Sequence, residues 1–137
     1  MIAAYRNGER IEALPLDSRA AHYGDGAFTT MRAHAGHIAF WPAHRQRLLD
    51  AGRVLHLSEP DWSAVEAQLS RVVAVQASCV LKLALVPQSG GRGYARPWPS
   101  ACDVYLFVYA VPALEPAQYR EGIDLVTRRV DLVAGRE

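Results

Sequence analysis

Lysine and cysteine are both scarce in this sequence. Of its 15 basic residues only Lys82 is a lysine, and its two cysteines, Cys79 and Cys102, lie in apolar, strand-like segments. We therefore predict reduced, buried cysteines of a cytoplasmic protein. A metal site would need further ligands at regular spacing, and the sequence offers none, so we predict no metal.

Charge imbalance and long apolar runs are missing as well. The formal net charge is +1, which gives no reason to expect a nucleic acid or a membrane as partner. The longest apolar run, residues 104–111, has the length of a strand and is too short to span a bilayer. The N-terminus has no apolar signal core, so we expect no export.

The order of predicted elements favours one α+β domain over residues 1–137. Asn7-Gly8 is typical of a type I′ turn and predicts a hairpin. Pro42 is suited to the first turn of a helix, and Asp61 to the N-cap of a second one. Further strands are predicted at 27–33, 38–41, 80–86, 104–111 and 123–130. Because strands and helices do not alternate, we predict two layers, with a mainly antiparallel sheet covered by two helices.

Polar residues recur along one face of the strand predicted at 27–33. Since successive side chains of a strand alternate, Phe28, Thr30 and Arg32 share one face, whereas Thr29 belongs to the other. Hydrophobic, hydroxyl and cationic groups together are suited to the wall of a small-molecule pocket. The alternative is a solvated sheet edge that carries one buried phenylalanine.

Arg47 borders the apolar stripe of the first long helix, which is formed by His44, Leu48, Ala51 and Leu55. A guanidinium in this place either extends to solvent or binds an anion, and its planar shape matches phosphate. The glycine-rich segment 89–94 is either a ligand-binding loop or a long hairpin loop. It matches neither a Walker A loop nor the dinucleotide fingerprint.

Several short motifs resemble those of the fold-type IV pyridoxal-phosphate enzymes. They are the Tyr-Gly-Asp-Gly turn at 23–26 before Phe28 and the His-x-x-Arg-Leu element at 44–48. The Thr-Thr pair at 29–30 and the Gly-Gly-Arg-Gly-Tyr segment at 90–94 are similar to those of the aminodeoxychorismate lyases in particular. The resemblance implies pyridoxal 5′-phosphate as cofactor and a homodimer with active sites near the subunit interface. The reaction it implies converts 4-amino-4-deoxychorismate to p-aminobenzoate and pyruvate, a step towards folate.

The same resemblance assigns roles to individual residues. Arg47 would bind the cofactor phosphate, and Thr30 would lie near the reacting carbon and assist proton transfer. The residues expected to line or close the substrate pocket are Tyr23, Phe28, Arg32, Arg92 and Tyr94.

The Schiff-base lysine of this family opens a second domain, after the strand that corresponds to 123–130. The sequence stops at Glu137, and Lys82 falls at a different point of the pattern. The resemblance therefore implies the N-terminal domain of a two-domain enzyme, inactive when isolated from a C-terminal domain that this chain lacks. Two alternatives stay open: a branched-chain or D-amino-acid aminotransferase of fold type IV, and a catalytically inactive fragment that serves as a dimerisation or binding module.

Overall fold

The computed structural model describes residues 1–88, 90, 93, 95, 98–113 and 115–129. In that part of the chain, six strands form one sheet: β1 (Ala3–Arg6), β2 (Glu9–Ile11), β3 (Ala27–His34), β4 (His37–Ile38), β5 (Ser78–Pro87) and β6 (Cys102–Tyr109). The helices are α1 (Arg19–Tyr23), α2 (Trp41–Val54), α3 (Trp62–Val75) and α4 (Pro116–Glu121).

The strand order is β2-β1-β6-β5-β3-β4, and every neighbouring pair is antiparallel. The two long helices, α2 and α3, cover one face of this sheet. The core between these helices and the sheet is mainly aliphatic. Its buried members include Met31, Leu48, Leu69, Leu81, Leu83, Leu106 and Val108. The predicted α+β architecture is thus confirmed. We call the opposite side of the sheet the open face.

Two local signals of the sequence have the expected structure. Asn7 and Gly8 adopt positive φ angles of 49° and 87°, as a type I′ turn between β1 and β2 requires. Asp61 caps α3, because its side chain accepts hydrogen bonds from the backbone N–H groups of Ser63 and Ala64.

Three details differ from the sequence predictions. No strand forms at 123–129, and Val130 lies outside the described residues. Ile123 and Leu125 are largely exposed there. A segment with alternating apolar residues becomes a strand only where the edge of another strand accepts its hydrogen bonds. The segment predicted as a strand at 38–41 is shorter, since Trp41 already begins α2. The short helices α1 and α4 were not predicted.

The cysteines are free, as expected, but differ in burial. Cys79 is buried, whereas Cys102 is only half-buried. Burial nevertheless raises the pKa of the Cys102 thiol to about 11, so that it stays protonated near neutral pH. Within the described part of the chain, no helix is both long and apolar enough to cross a bilayer.

Candidate functional site

Side chains of β3 alternate between the core and the open face. Thr29 and Met31 are buried beneath the helices, whereas Phe28 is 53% exposed on the open face together with Thr30 and Arg32. The predicted sharing of faces is therefore confirmed. The hydroxyls of the Thr-Thr pair point to opposite sides of the sheet.

The turn before β3 needs its glycines for two different reasons. Gly24 ends α1 in the left-handed conformation, with φ 62°, and has open space around it. Gly26 has φ 146°, and a Cβ there would lie 2.7 Å from the backbone oxygen of Leu85. The start of β3 can thus lie directly against β5 only because position 26 has no side chain.

These two glycines provide a matched test of this close approach. We expect Gly26→Ala to destabilise the native protein by about 3 kcal/mol or more, since steric overlap with backbone adds to conformational strain. Gly24→Ala should cost about 1–2 kcal/mol, because only the left-handed conformation is affected. Urea unfolding of both variants measures the difference, and equal losses would contradict the role of Leu85.

An ion pair between a buried arginine and a partly buried aspartate fixes the same turn. Arg19 on α1 is 4% exposed, and its Nε lies 2.9 Å from Oδ2 of Asp25. Its Nη1 also donates to the carbonyl oxygens of Gly93, at 3.2 Å, and Ala95, at 3.5 Å. Arg19 thereby links the turn before β3 to the segment that precedes β6. Arg19 could not be identified from the sequence, because nothing in the local pattern distinguishes this arginine from those at the surface.

Arg47 lies on the exposed side of α2, next to the start of β3. It borders a cleft of about 240 Å³, which we call the arginine cleft, lined by Gly26, Ala27, Phe28, Arg47, Leu48 and Ala51. No carboxylate of the described residues forms an ion pair with this guanidinium. By contrast, Nε of Arg45 lies 3.7 Å from Oε1 of Glu66.

A hydrogen bond fixes α2 to β3 close to this cleft. Nδ1 of His44 lies 2.6 Å from Oγ1 of the buried Thr29. His44 precedes Arg47 by one helical turn, so the bond also fixes the part of the helix that carries the guanidinium. The sequence placed His44 on the inward stripe but did not predict its partner, which lies on another element.

A second cavity lies on the open face. It encloses about 340 Å³, and we call it the open-face cavity. Its floor is formed by Phe28 of β3, Lys82 and Ala84 of β5, and Tyr105 and Phe107 of β6. Residues 26–28 line both this cavity and the arginine cleft. The two cavities therefore meet at the start of β3.

A cavity of about 430 Å³ between α3 and the sheet is larger, but its charged groups are already engaged. Asp61 caps the helix, and Nη2 of Arg71 donates to Oε1 of Gln68 at 2.6 Å. We take as candidate site the pair of cavities that meet at residues 26–28, because Arg47 and Phe28 line them.

The other predicted site residues are distributed unevenly around this pair. Thr30 and Arg32 continue the open face along β3, beyond Phe28. Tyr23 lies on α1, where its ring is 4.9 Å from the Arg19 guanidinium carbon, and it lines neither cavity. Arg92 and Tyr94 lie outside the described residues.

The groups that line the arginine cleft are compatible with a bound phosphate. An exposed guanidinium without a carboxylate partner among the described residues lies beside a glycine and small side chains, which leave room for a bulky anion. Arginine binds phosphate oxygens through paired N–H donors. The residues present thus fit the phosphate of pyridoxal 5′-phosphate, and Arg47 is the residue that would hold it.

Comparison with known proteins identifies the family of this chain. The family described as Amino-transferase class IV matches residues 26–135. An aminodeoxychorismate lyase from Vibrio harveyi is 29% identical over 119 residues, covering 87% of this chain and 44% of that protein. A bifunctional aminodeoxychorismate lyase / D-amino acid transaminase from Mycobacterium tuberculosis is 35% identical over 118 residues, covering 83% of this chain and 39% of that protein. The chain thus spans less than half the length of these curated relatives.

Solved structures show the same fold. The 4-amino-4-deoxychorismate lyase of Pseudomonas aeruginosa superposes with a TM-score of 0.77 at 28% identity, over 88% of this chain and 44% of that one. A hypothetical aminotransferase from Mycobacterium tuberculosis, in its PLP-bound form, gives 0.64 at 30% identity, over 80% of this chain and 40% of that one.

Proposed function

Because the chain belongs to the class IV aminotransferase family, we propose that it forms the N-terminal domain of a two-domain, pyridoxal-phosphate-dependent aminodeoxychorismate lyase. Such an enzyme converts 4-amino-4-deoxychorismate to p-aminobenzoate and pyruvate. In this proposal the Schiff-base lysine belongs to the second domain, the native protein is a homodimer, and residues 1–137 supply contacts to the phosphate and the substrate.

The observation that carries the proposal is the shared wall between the two cavities. Residues 26–28 separate the arginine cleft from the open-face cavity, which has aromatic and cationic walls. Arg47 would then hold the phosphate on one side of residues 26–28, and Phe28 would contact the substrate on the other side. The protein's part in such chemistry is to bind and orient the cofactor and substrate next to each other.

Each residue then has a definite task. Arg47 binds the phosphate and fixes its orientation, with α2 held in place by the hydrogen bond between His44 and Thr29. Phe28 supplies an apolar wall that excludes water. Thr30 presents its Oγ1 on the open face, where the hydroxyl can hold or pass on a proton. When bound, the cofactor supplies an electron sink for the breaking of bonds in the substrate.

An assay of the native protein tests this function directly. We expect the protein, supplied with pyridoxal phosphate and 4-amino-4-deoxychorismate, to release p-aminobenzoate and pyruvate in equal amounts. Fluorescence detects the aromatic product, and a coupled lactate dehydrogenase reaction detects pyruvate. Sedimentation of the same preparation should give twice the mass of one subunit. Absence of p-aminobenzoate under saturating cofactor would refute the proposed lyase.

A D-amino-acid transaminase is the second candidate, because the Mycobacterium tuberculosis relative is named for that activity as well as for the lyase. With D-alanine and 2-oxoglutarate, a transaminase forms pyruvate and glutamate but no p-aminobenzoate. Pyruvate from D-alanine, together with no aromatic product from the chorismate derivative, would favour this candidate over the lyase.

A further inference from the structure

Helix α1 and the turn after it form one wall of the open-face cavity, which we call the α1 wall. The residues that this wall contributes to the lining are Ser18, Ala20, Ala21, Gly24 and Asp25. Strands β5 and β6 form the floor of the same cavity. The position of α1 above these strands therefore sets the width of the cavity.

The anchor of α1 is a charged side chain instead of an apolar one. A helix of five residues is not stable by itself, so its position depends on tertiary contacts. Ala20, Ala21 and Tyr23 are exposed, whereas Arg19 is buried. Arg19 does not line the cavity. A guanidinium at this depth must have its donors paired, because burial of an unpaired charge is costly.

The contacts of Arg19 connect the α1 wall to a distant part of the chain. Its Nε lies 2.9 Å from Oδ2 of Asp25, and its Nη1 donates to the carbonyl oxygen of Gly93 at 3.2 Å. The ring of Tyr23 lies 4.9 Å from the guanidinium carbon. Arginine can make these contacts together, since its planar fork has several donors in fixed directions. Arg19 thus holds both ends of the wall against backbone that follows β5.

We propose that Arg19 is a positioning residue for the substrate, which holds the α1 wall at the distance from β5 and β6 that the substrate ring requires. This inference rests on the proposed function, in which the substrate occupies the open-face cavity. Arg19 acts through Asp25 and the backbone of α1, without touching the ligand. The arginine cleft is lined from α2 by Arg47, Leu48 and Ala51, so the cofactor phosphate is held independently of this wall.

Hydrogen exchange of the native protein tests the positioning without any ligand. The probes are the amides of Ala21, His22, Gly24 and Asp25, which are hydrogen-bonded within the wall. Arg19→Met removes the donors of the guanidinium, so these amides should exchange roughly tenfold faster, because the wall then opens more often. Unchanged exchange would overturn the proposal.

Arg6→Met is the matched control. It also removes a guanidinium from a pair with a carboxylate, since Nη2 of Arg6 lies 2.6 Å from Oδ2 of the buried Asp103. Arg6 lines neither the open-face cavity nor the arginine cleft. Arg6→Met should therefore lower stability but leave exchange in the α1 wall unchanged.

Kinetics of the cofactor-loaded native protein tests the link to the substrate. For Arg19→Met we expect KM for 4-amino-4-deoxychorismate, and the calorimetric dissociation constant of p-aminobenzoate, to rise roughly tenfold to a hundredfold, the scale for a displacement of about 1 Å. The turnover number and the affinity for pyridoxal phosphate should change much less. Arg19→Lys should recover part of the loss, because it keeps a cation beside Asp25 but cannot reproduce the fork. Arg6→Met should leave KM unchanged.

Several outcomes would overturn the assignment. They are an unchanged KM in Arg19→Met, an equal loss of affinity for substrate and cofactor, and an equal rise of KM in Arg6→Met. Circular dichroism checks the fold of each variant, and Arg19→Lys replaces Arg19→Met if that variant unfolds. If the wild-type protein forms no p-aminobenzoate, but exchange and p-aminobenzoate affinity depend on Arg19, the lyase proposal alone fails. If it forms p-aminobenzoate and the Arg19 variants leave KM and exchange unchanged, the Arg19 assignment alone fails.

Discussion

Replacement of Thr30 by valine should lower turnover of the native enzyme on the order of tenfold to a thousandfold. The change removes the hydroxyl that faces the open side of the sheet and nearly keeps the volume of the side chain. Because Thr30 lies apart from the arginine cleft, affinity for pyridoxal phosphate should change little. Steady-state kinetics with 4-amino-4-deoxychorismate, together with a cofactor titration, separates the two effects.

The neighbouring threonine provides the control. Thr29 is buried beneath α2, and its hydroxyl is bonded to Nδ1 of His44 at 2.6 Å. Thr29→Val should therefore reduce the free energy of unfolding by about 1–3 kcal/mol, as a buried polar partner is lost, while turnover stays closer to normal. A larger loss of turnover for Thr29→Val than for Thr30→Val would refute the assignment of the open face to the substrate.

Replacement of Arg47 by alanine should weaken the binding of pyridoxal phosphate by about 1.5–3 kcal/mol, the range for hydrogen bonds to charged groups. This corresponds to a roughly tenfold to hundredfold rise in the dissociation constant. The reason is that Arg47 is the cation that lines the cleft beside residues 26–28. Absorbance titration of the native apoenzyme with the cofactor measures the change.

Arg45 is the matched control on the same helix. Its guanidinium lies 5.2 Å from the ring centre of Trp62 and close to Glu66, on a different side of α2 from the cleft. Arg45→Ala should thus alter cofactor affinity much less than Arg47→Ala. Equal losses for the two variants would indicate a diffuse effect of charge instead of a specific phosphate contact.

Sequence reasoning succeeded where the determining interactions are local. The alternation of β3 placed the two threonines on opposite faces, and Asp61 marked the start of α3, since both depend on neighbouring residues alone. The partners of Arg19 and His44 could not be found in this way. Each lies on another segment, so that only the folded chain brings the groups together.

The segment from residue 123 onwards shows that a local pattern alone does not determine a strand. The alternating apolar residues there satisfy the pattern of a strand, yet the pattern does not contain the edge to which a strand must bond. The neighbours of Lys82 are set in the same way by the pairing of β3, β5 and β6, which places it between Thr30 and Phe107.

The pairing of β1 with β6 sets the order in which the sheet can be completed. Ala3 lies opposite Val108, and the ion pair between Arg6 and Asp103 joins residues 97 positions apart. Closing so large a loop has a high entropic cost, whereas β3, β5 and β6 pair over shorter separations. During synthesis, the β1–β2 hairpin therefore leaves the ribosome before the other strands of the sheet, yet it cannot pair until β6 has also been made.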